Sequence, residues 1–263
     1  AYPGIIPGYT VHNHGELEGV LKGMLDAVVG RKGGHLSSAW ERAFGAVLNQ
    51  YLGDLPEQFA VEGKTYTPQT YTREYLKLDP ADYVEITSYS HHPYYTTFAL
   101  EIPDNWDYSA TYHNVPMEDM ERIADEALRG GYTFCWDADV SEPFFSKDRM
   151  DVSLVPEKNW EEMSRAERTA PVEKPLREAV VTQEMRQKTF MDYSTTDDHL
   201  MHIVGLAKDQ RGESFYIMKN SWGKENKYQG FYYVSKPYFR LKTVALMVHK
   251  DAIPQDIRAR MGL

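Results

Sequence analysis

The residue types best suited to chemistry lie between positions 197 and 223. Asp198-His199 opens an apolar run through Met201, Ile203, Val204 and Gly205, and after the turn KDQRGE a second apolar run ends in Lys219-Asn220-Ser221-Trp222-Gly223. Histidine titrates near neutrality, so an imidazole here can take a proton from a nucleophile and return it to a leaving group. Asparagine offers a carbonyl oxygen that accepts one imidazole N–H and fixes the ring, leaving the other nitrogen free. An indole two residues further on can cover that hydrogen bond and keep water from it, which strengthens it. Two adjacent strands would bring these side chains within reach of one another.

Those runs need elements to hold them. HLMHIVGLA, SFYIMKNSW, GFYYVS and TVALMVHK are four short β-type runs separated by charged or glycine-containing turns. YTFCWDADV (132–140), after a glycine pair, predicts a further strand, 141–177 is loop-rich and charged, and 178–190 predicts a helix. The front of the chain is helical in pattern. Over 14–29, Leu17, Val20, Leu21, Met24, Leu25 and Val28 recur at spacings of three and four, with Asn13 placed as a cap. Ser37 and Ser38 precede a second stripe of Trp40, Phe44, Val47, Leu48 and Tyr51, and both stripes predict core packing. A short helix is expected near Pro68 and a longer one from Asn114 and Pro116 to Gly130-Gly131, while the tyrosine-rich 53–115 reads as strand and loop in a surface insertion. The element order is that of an α+β chain: a helix-rich part over 1–130, a β-rich domain over 131–250 and a tail over 251–263.

Asp-His, an apolar strand with Val-Gly, then Lys-Asn-Ser-Trp-Gly and Gly-Phe-Tyr resembles the C-terminal signature of papain-like cysteine peptidases. The PDNW and GGYTFCWDADVSE stretches, and the helix ending RQKTFMDYS before DDHLM, resemble the bleomycin hydrolase/aminopeptidase C branch. The resemblance implies a papain-like fold, with a helical part and an antiparallel β-barrel-like domain. It implies hydrolysis of peptides by thiolate attack, His199 as acid and base, Asn220 as the residue that orients it, Trp222 as the covering indole and Asp198 in support. It implies no cofactor. In that branch the C-terminal tail can lie in the cleft and restrict cleavage to the peptide N-terminus, and the enzymes often form rings. A tail in the cleft and a homo-oligomer are the corresponding expectations here.

The chain departs from the family at the nucleophile. The papain-type motif is C-G-[SA]-C-[WY] with the histidine roughly 130–150 residues downstream. The single cysteine, Cys135, stands in Phe134-Cys135-Trp136 with no Cys-Gly-Ser before it, no glutamine a few residues upstream, and 199 − 135 = 64 residues to His199. It is expected as a buried strand cysteine. The nucleophile is expected on polypeptide absent from this chain, an N-terminal fragment supplying Cys and Gln, and this chain alone is expected to be inactive. The opening at Ala1 without Met fits a processed or degraded form. The alternative is a nucleophile-less relative acting as a binding or scaffold protein. A hydrolase using Ser221 is disfavoured, because neighbours on a strand face opposite sides.

No metal site is expected. His199 and His202, three apart on a strand, face opposite ways, adjacent His91-His92 have the same problem, and His12-Asn13-His14 has no third ligand nearby. Asp137 and Asp139 are expected on one strand face, at a hydrogen-bonded strand end or near a substrate amine. The balance of 29 basic and 39 acidic residues gives a net charge of −10, which argues against a nucleic-acid partner. No apolar run approaches the roughly 20 residues of a membrane span, and no membrane partner is expected. A single cysteine excludes an internal disulfide and suits the cytoplasm, with a periplasmic or secreted location left open.

Overall fold

The computed structural model describes residues 13–31, 33–146, 150–170 and 176–263. The chain divides into two compact units, 1–79 and 80–263.

The first unit begins with helices α1 (Gly15–Val29) and α2 (Ala39–Leu52), which pack on one another. The Asn13 side chain accepts the Gly15 N–H at 3.0 Å, and the Tyr51 hydroxyl donates to Glu16 at 2.9 Å. The predicted stripes do not make a closed core. Leu17 is the one fully buried residue of α1 and α2 has none, because a pair of helices can cover only the face that each turns to the other. A hairpin of β1 (Phe59–Val61) and β2 (Lys64–Tyr66) turns at Glu62-Gly63, both at positive φ. The short helix α3 (Pro68–Thr70) follows, capped by Thr67.

The second unit is built on one nine-stranded sheet. Its elements in chain order are β3 (Tyr83–Thr87), β4 (Thr97–Phe98), β5 (Tyr112–Asn114), α4 (Met117–Arg129), β6 (Phe134–Ala138), β7 (Val152–Ser153), α5 (Arg165–Thr169), α6 (Gln183–Met191), β8 (His199–Lys208), β9 (Ser214–Lys219), β10 (Phe231–Ser235), α7 (Lys236–Lys242), β11 (Thr243–His249) and α8 (Gln255–Met261). The sheet order is β4-β5-β3-β11-β6-β8-β9-β10-β7. The pairs β3/β5 and β10/β7 are parallel and the others antiparallel. The sheet ends on β4 and β7, so among the described residues the barrel-like domain is an open sheet.

Two expectations change here. Residues 83–114 supply three strands of the sheet, with Ile86 fully buried beside β11, so this stretch is not a surface insertion and the sheet reaches across the expected boundary at 130. Pairing between strands distant in sequence leaves no local periodicity to read. Most of the tail is a helix packed on the core. Residues 255–261 form α8, whose Ile257 and Met261 join the main core, and Arg122–Asp256 (2.7 Å) and Arg260–Asp119 (2.8 Å) clamp α8 to α4.

The core lies on the face of the sheet that α4, α7 and α8 cover. In β6, Phe134, Trp136 and Ala138 point into it, while Cys135 and Asp137 point to the other face, the alternation that a strand imposes. Trp136 donates its indole N–H to Thr243 across the sheet at 2.8 Å, which satisfies the one polar atom of that buried ring.

Candidate active site

His199 is the first residue of β8, and Asn220 follows the last residue of the neighbouring β9. The two strands are antiparallel, so the start of one meets the end of the other. The His199 Nε2–H donates to Asn220 Oδ1 at 2.9 Å, and the same oxygen accepts the Ser221 N–H at 2.7 Å. Asn220 is 7% exposed and its backbone N–H donates to Gly230 O at 3.0 Å. Gly230 closes the loop that carries these residues. It sits at φ +93°, and a Cβ there would lie 2.7 Å from the Gly223 carbonyl oxygen. The Trp222 ring stacks on His199, with centroids 5.1 Å apart and planes at 22°, and itself rests edge-on against Phe145 and Tyr232. His199 thus has one nitrogen fixed by an amide and one face covered by an indole. Its Nδ1 has no hydrogen-bond partner among the described residues.

Asp198 holds the strand that bears the histidine. Its Oδ2 accepts the backbone N–H groups of Val140 and Ser141 at 3.3 and 3.1 Å, which ties the start of β8 to the loop after β6. Partial burial pushes its pKa up, but hydrogen bonds from Thr196 and Ser141 outweigh this and hold the carboxyl below its usual range.

Beside His199 lies a cavity of about 210 Å³, whose wall includes Asp104, Tyr112, Asp137, Asp197 and His199. Burial first, then the charge and hydrogen bond of Asp197, push the Asp137 pKa up to about 8. Asp197 is also raised, chiefly by burial. Two carboxyls in one partly dry pocket cannot both ionise cheaply, so near neutrality the pair keeps one proton. Asp104 and Asp197 were not singled out in the sequence. The Asp197-Asp198-His199 run was a signal, but Asp104 reaches the pocket only because β3 to β5 belong to the sheet.

Asp137 and Asp139 do not share a face. The strand ends at Ala138, so its alternation does not extend to Asp139, which is 1% exposed and pairs with the buried Lys242 at 3.2 Å. Cys135 stands opposite His202, not His199, in the β6/β8 register, with Sγ 3.8 Å from His202 Nδ1. Burial raises the thiol pKa and lowers that of His202, so this pair disfavours a thiolate and imidazolium. His202 lies three positions along β8 from His199, about 10 Å along the strand. Ser221 is exposed, and no hydrogen bond joins its hydroxyl to His199 among the described residues. His12 lies outside the described residues. His91 and His92 do converge, because they sit in a turn and not in a strand: both imidazoles reach Glu101.

Residues 54–262 match the model of the Peptidase C1-like family. Aminopeptidase G of Lactobacillus delbrueckii subsp. lactis is 24% identical over 229 residues, covering 78% of this chain and 46% of that protein. Aminopeptidase W of the same organism is 25% identical over 224 residues, covering 80% and 47%. The chain spans about half the length of the curated relatives it matches. The crystal structure of PepW from Lactobacillus rhamnosis HN001 aligns with a TM-score of 0.64 at 18% identity, covering 94% of this chain and 58% of that one. At that identity the likeness shows the fold, which is papain-like.

Proposed function

The chain belongs to the Peptidase C1-like family, a relative of the papain-like cysteine peptidases, and on that premise we propose that it is the His/Asn-bearing portion of a cysteine aminopeptidase of the bleomycin hydrolase type. The observation that carries this is the His199–Asn220 hydrogen bond under the Trp222 ring. The amide pins Nε2–H, so Nδ1 is the nitrogen that faces chemistry. A cysteine on polypeptide outside this chain, with a glutamine to bind the oxyanion, would give its proton to Nδ1. The thiolate then attacks a peptide carbonyl, His199 returns the proton to the departing amine, and it next takes a proton from the water that opens the acyl-enzyme. The raised pKa of Cys135 and its place opposite His202 support a nucleophile elsewhere.

The acidic cavity beside His199 supports the aminopeptidase reading. A substrate's free α-ammonium group is a cation of the right charge for Asp104 and the Asp137–Asp197 pair. On this reading the selection comes from the cavity and does not call on the tail. The second reading, a binding protein without a nucleophile, is favoured by Cys135 lying away from His199.

One experiment separates them. Hydrolysis of aminoacyl anilides with free and with N-acetylated amines is measured for this chain alone and for the chain joined to the polypeptide upstream of it. The proposal expects activity only in the joined form, only on free amines, lost by about 10²–10⁴-fold in His199→Ala and unchanged in Cys135→Ser. Undiminished activity in His199→Ala refutes the site. No activity in any joined form, with labelling by a thiol-directed epoxide also absent, supports the binding protein.

A further inference from the structure

We propose that His91, His92 and Glu101 form a site for a zinc-class divalent transition metal, independent of the peptidase chemistry. One ligand atom from each of the three residues lies within 4.8 Å of the other two. His92 Nε2 is 2.7 Å from Glu101 Oε1 and His91 Nε2 is 3.2 Å from Oε2. A tetrahedral ion with bonds of about 2.0–2.1 Å holds its ligands roughly 3.4 Å apart, so small side-chain shifts bring the three atoms to it and leave a fourth position open to water. Two imidazoles and one carboxylate select zinc, cobalt or nickel over magnesium or calcium, which prefer all-oxygen shells.

The ligands are held before any ion arrives. The His92 ring stacks on the buried Phe98 at 4.1 Å and 25°, and the His91 ring stacks on Phe190 at 5.8 Å and 30°. The turn that carries both histidines is fixed by Asn114, itself fully buried, which accepts the Tyr89 N–H at 2.9 Å and donates to the Tyr89 and His92 carbonyls at 2.8 and 2.9 Å. Such rigidity lowers the ordering entropy that metal binding must overcome.

One neighbour sets the protonation. Gln187 Oε1 accepts the Ser90 N–H at 2.5 Å, so its amide nitrogen is the group that meets His91 Nδ1 at 3.0 Å. Nδ1 of His91 therefore accepts, and its proton sits on Nε2, directed at Glu101. Coordination through Nε2 requires that proton to move to Nδ1, where it would face the amide donor. Gln187 must turn and give up Ser90, or be replaced by an acceptor. A glutamate at 187 satisfies both groups at once: one oxygen for Ser90 N–H and one for His91 Nδ1–H, the carboxylate–histidine–metal arrangement.

Calorimetric titration of the chelator-stripped protein with Zn²⁺ at pH 7.5 tests this, with the visible spectrum of the Co²⁺ form reporting geometry. The proposal expects one ion per chain in a tetrahedral cobalt spectrum, at least about tenfold weaker binding in His92→Ala and in Glu101→Ala, and about 10–100-fold tighter binding in Gln187→Glu. His202→Ala is the control and leaves the titration unchanged. Circular dichroism confirms that each variant is folded. Absence of binding at 1:1 stoichiometry, or binding insensitive to His92→Ala and Glu101→Ala in folded protein, or no gain in Gln187→Glu, overturns it.

Discussion

The Asp137–Asp197 pair links the stability of this protein to pH in a way that one substitution should erase. The Asp137 carboxyl titrates at about 8 in the folded chain, against an ordinary value of 3.8. A carboxyl whose folded pKa lies above its unfolded one binds its proton more tightly when folded. Its contribution to stability is therefore fully present below pH 4 and is lost as pH rises towards about 8. In that window the folded state holds one proton more than the unfolded, and the slope is about −1.4 kcal/mol per pH unit. Asp137→Asn keeps the shape and offers an N–H to Asp197 but carries no proton to lose. Between pH 5 and 7 the wild-type chain should lose about 1–3 kcal/mol more stability than the variant, the upper end being one full proton over two pH units. Urea unfolding at pH 5, 6 and 7 measures this as a change in midpoint on the order of 1 M for the usual urea slopes. Parallel pH profiles for the two proteins would show that the pair does not hold a proton in the cavity. They would also remove the physical basis for a half-neutralised acidic pocket beside His199.

Three other perturbations probe the frame and the site. Lys242, 5% exposed, neutralises Asp139 and Glu142, so Lys242→Met should cost about 3–5 kcal/mol by thermal or urea unfolding at neutral pH. That loss should shrink at pH 5, since burial already pushes the Glu142 carboxyl up and eases its protonation. Ile257 is wholly buried in the core, and Ile257→Ala should destabilise by about 2–5 kcal/mol, whereas a tail lying in a cleft would give almost no change. Trp222 is 52% exposed, so Trp222→Ala should affect stability little. In the joined, active form it should lower kcat severalfold by opening the His199–Asn220 hydrogen bond to water, worth about 1 kcal/mol. An unchanged kcat would show that the indole is not a functional cover.

Much of the frame is legible in the residues because it is local. The three-and-four spacing of α4 and the alternation in β6 put apolar side chains where short-range geometry requires, and Gly131 at φ +83° stops α4 where the glycine pair announced a break. The short helix α7 was not legible. Its KPYFRLK sequence carries a Ser235 cap and a proline in the first turn, but both neighbours read as strands and seven residues give too few turns for a period.

By itself the sequence placed His199, Asn220 and Trp222 in order on two adjoining apolar runs, and their residue types restrict what they could do when paired. It also showed Cys135 outside the C-G-[SA]-C-[WY] context of the papain-type motif. The tertiary structure alone decided what those residues meet. It inserted β11 between β3 and β6 and so drew Asp104 into a cavity with Asp137 and Asp197. It turned Asp139 inward to Lys242 and seated the tail as a core helix. It also folded a turn that aims His91 and His92 at one carboxylate. Each of these joins residues far apart in the chain, or in irregular backbone, where neither the strand nor the helix period carries information.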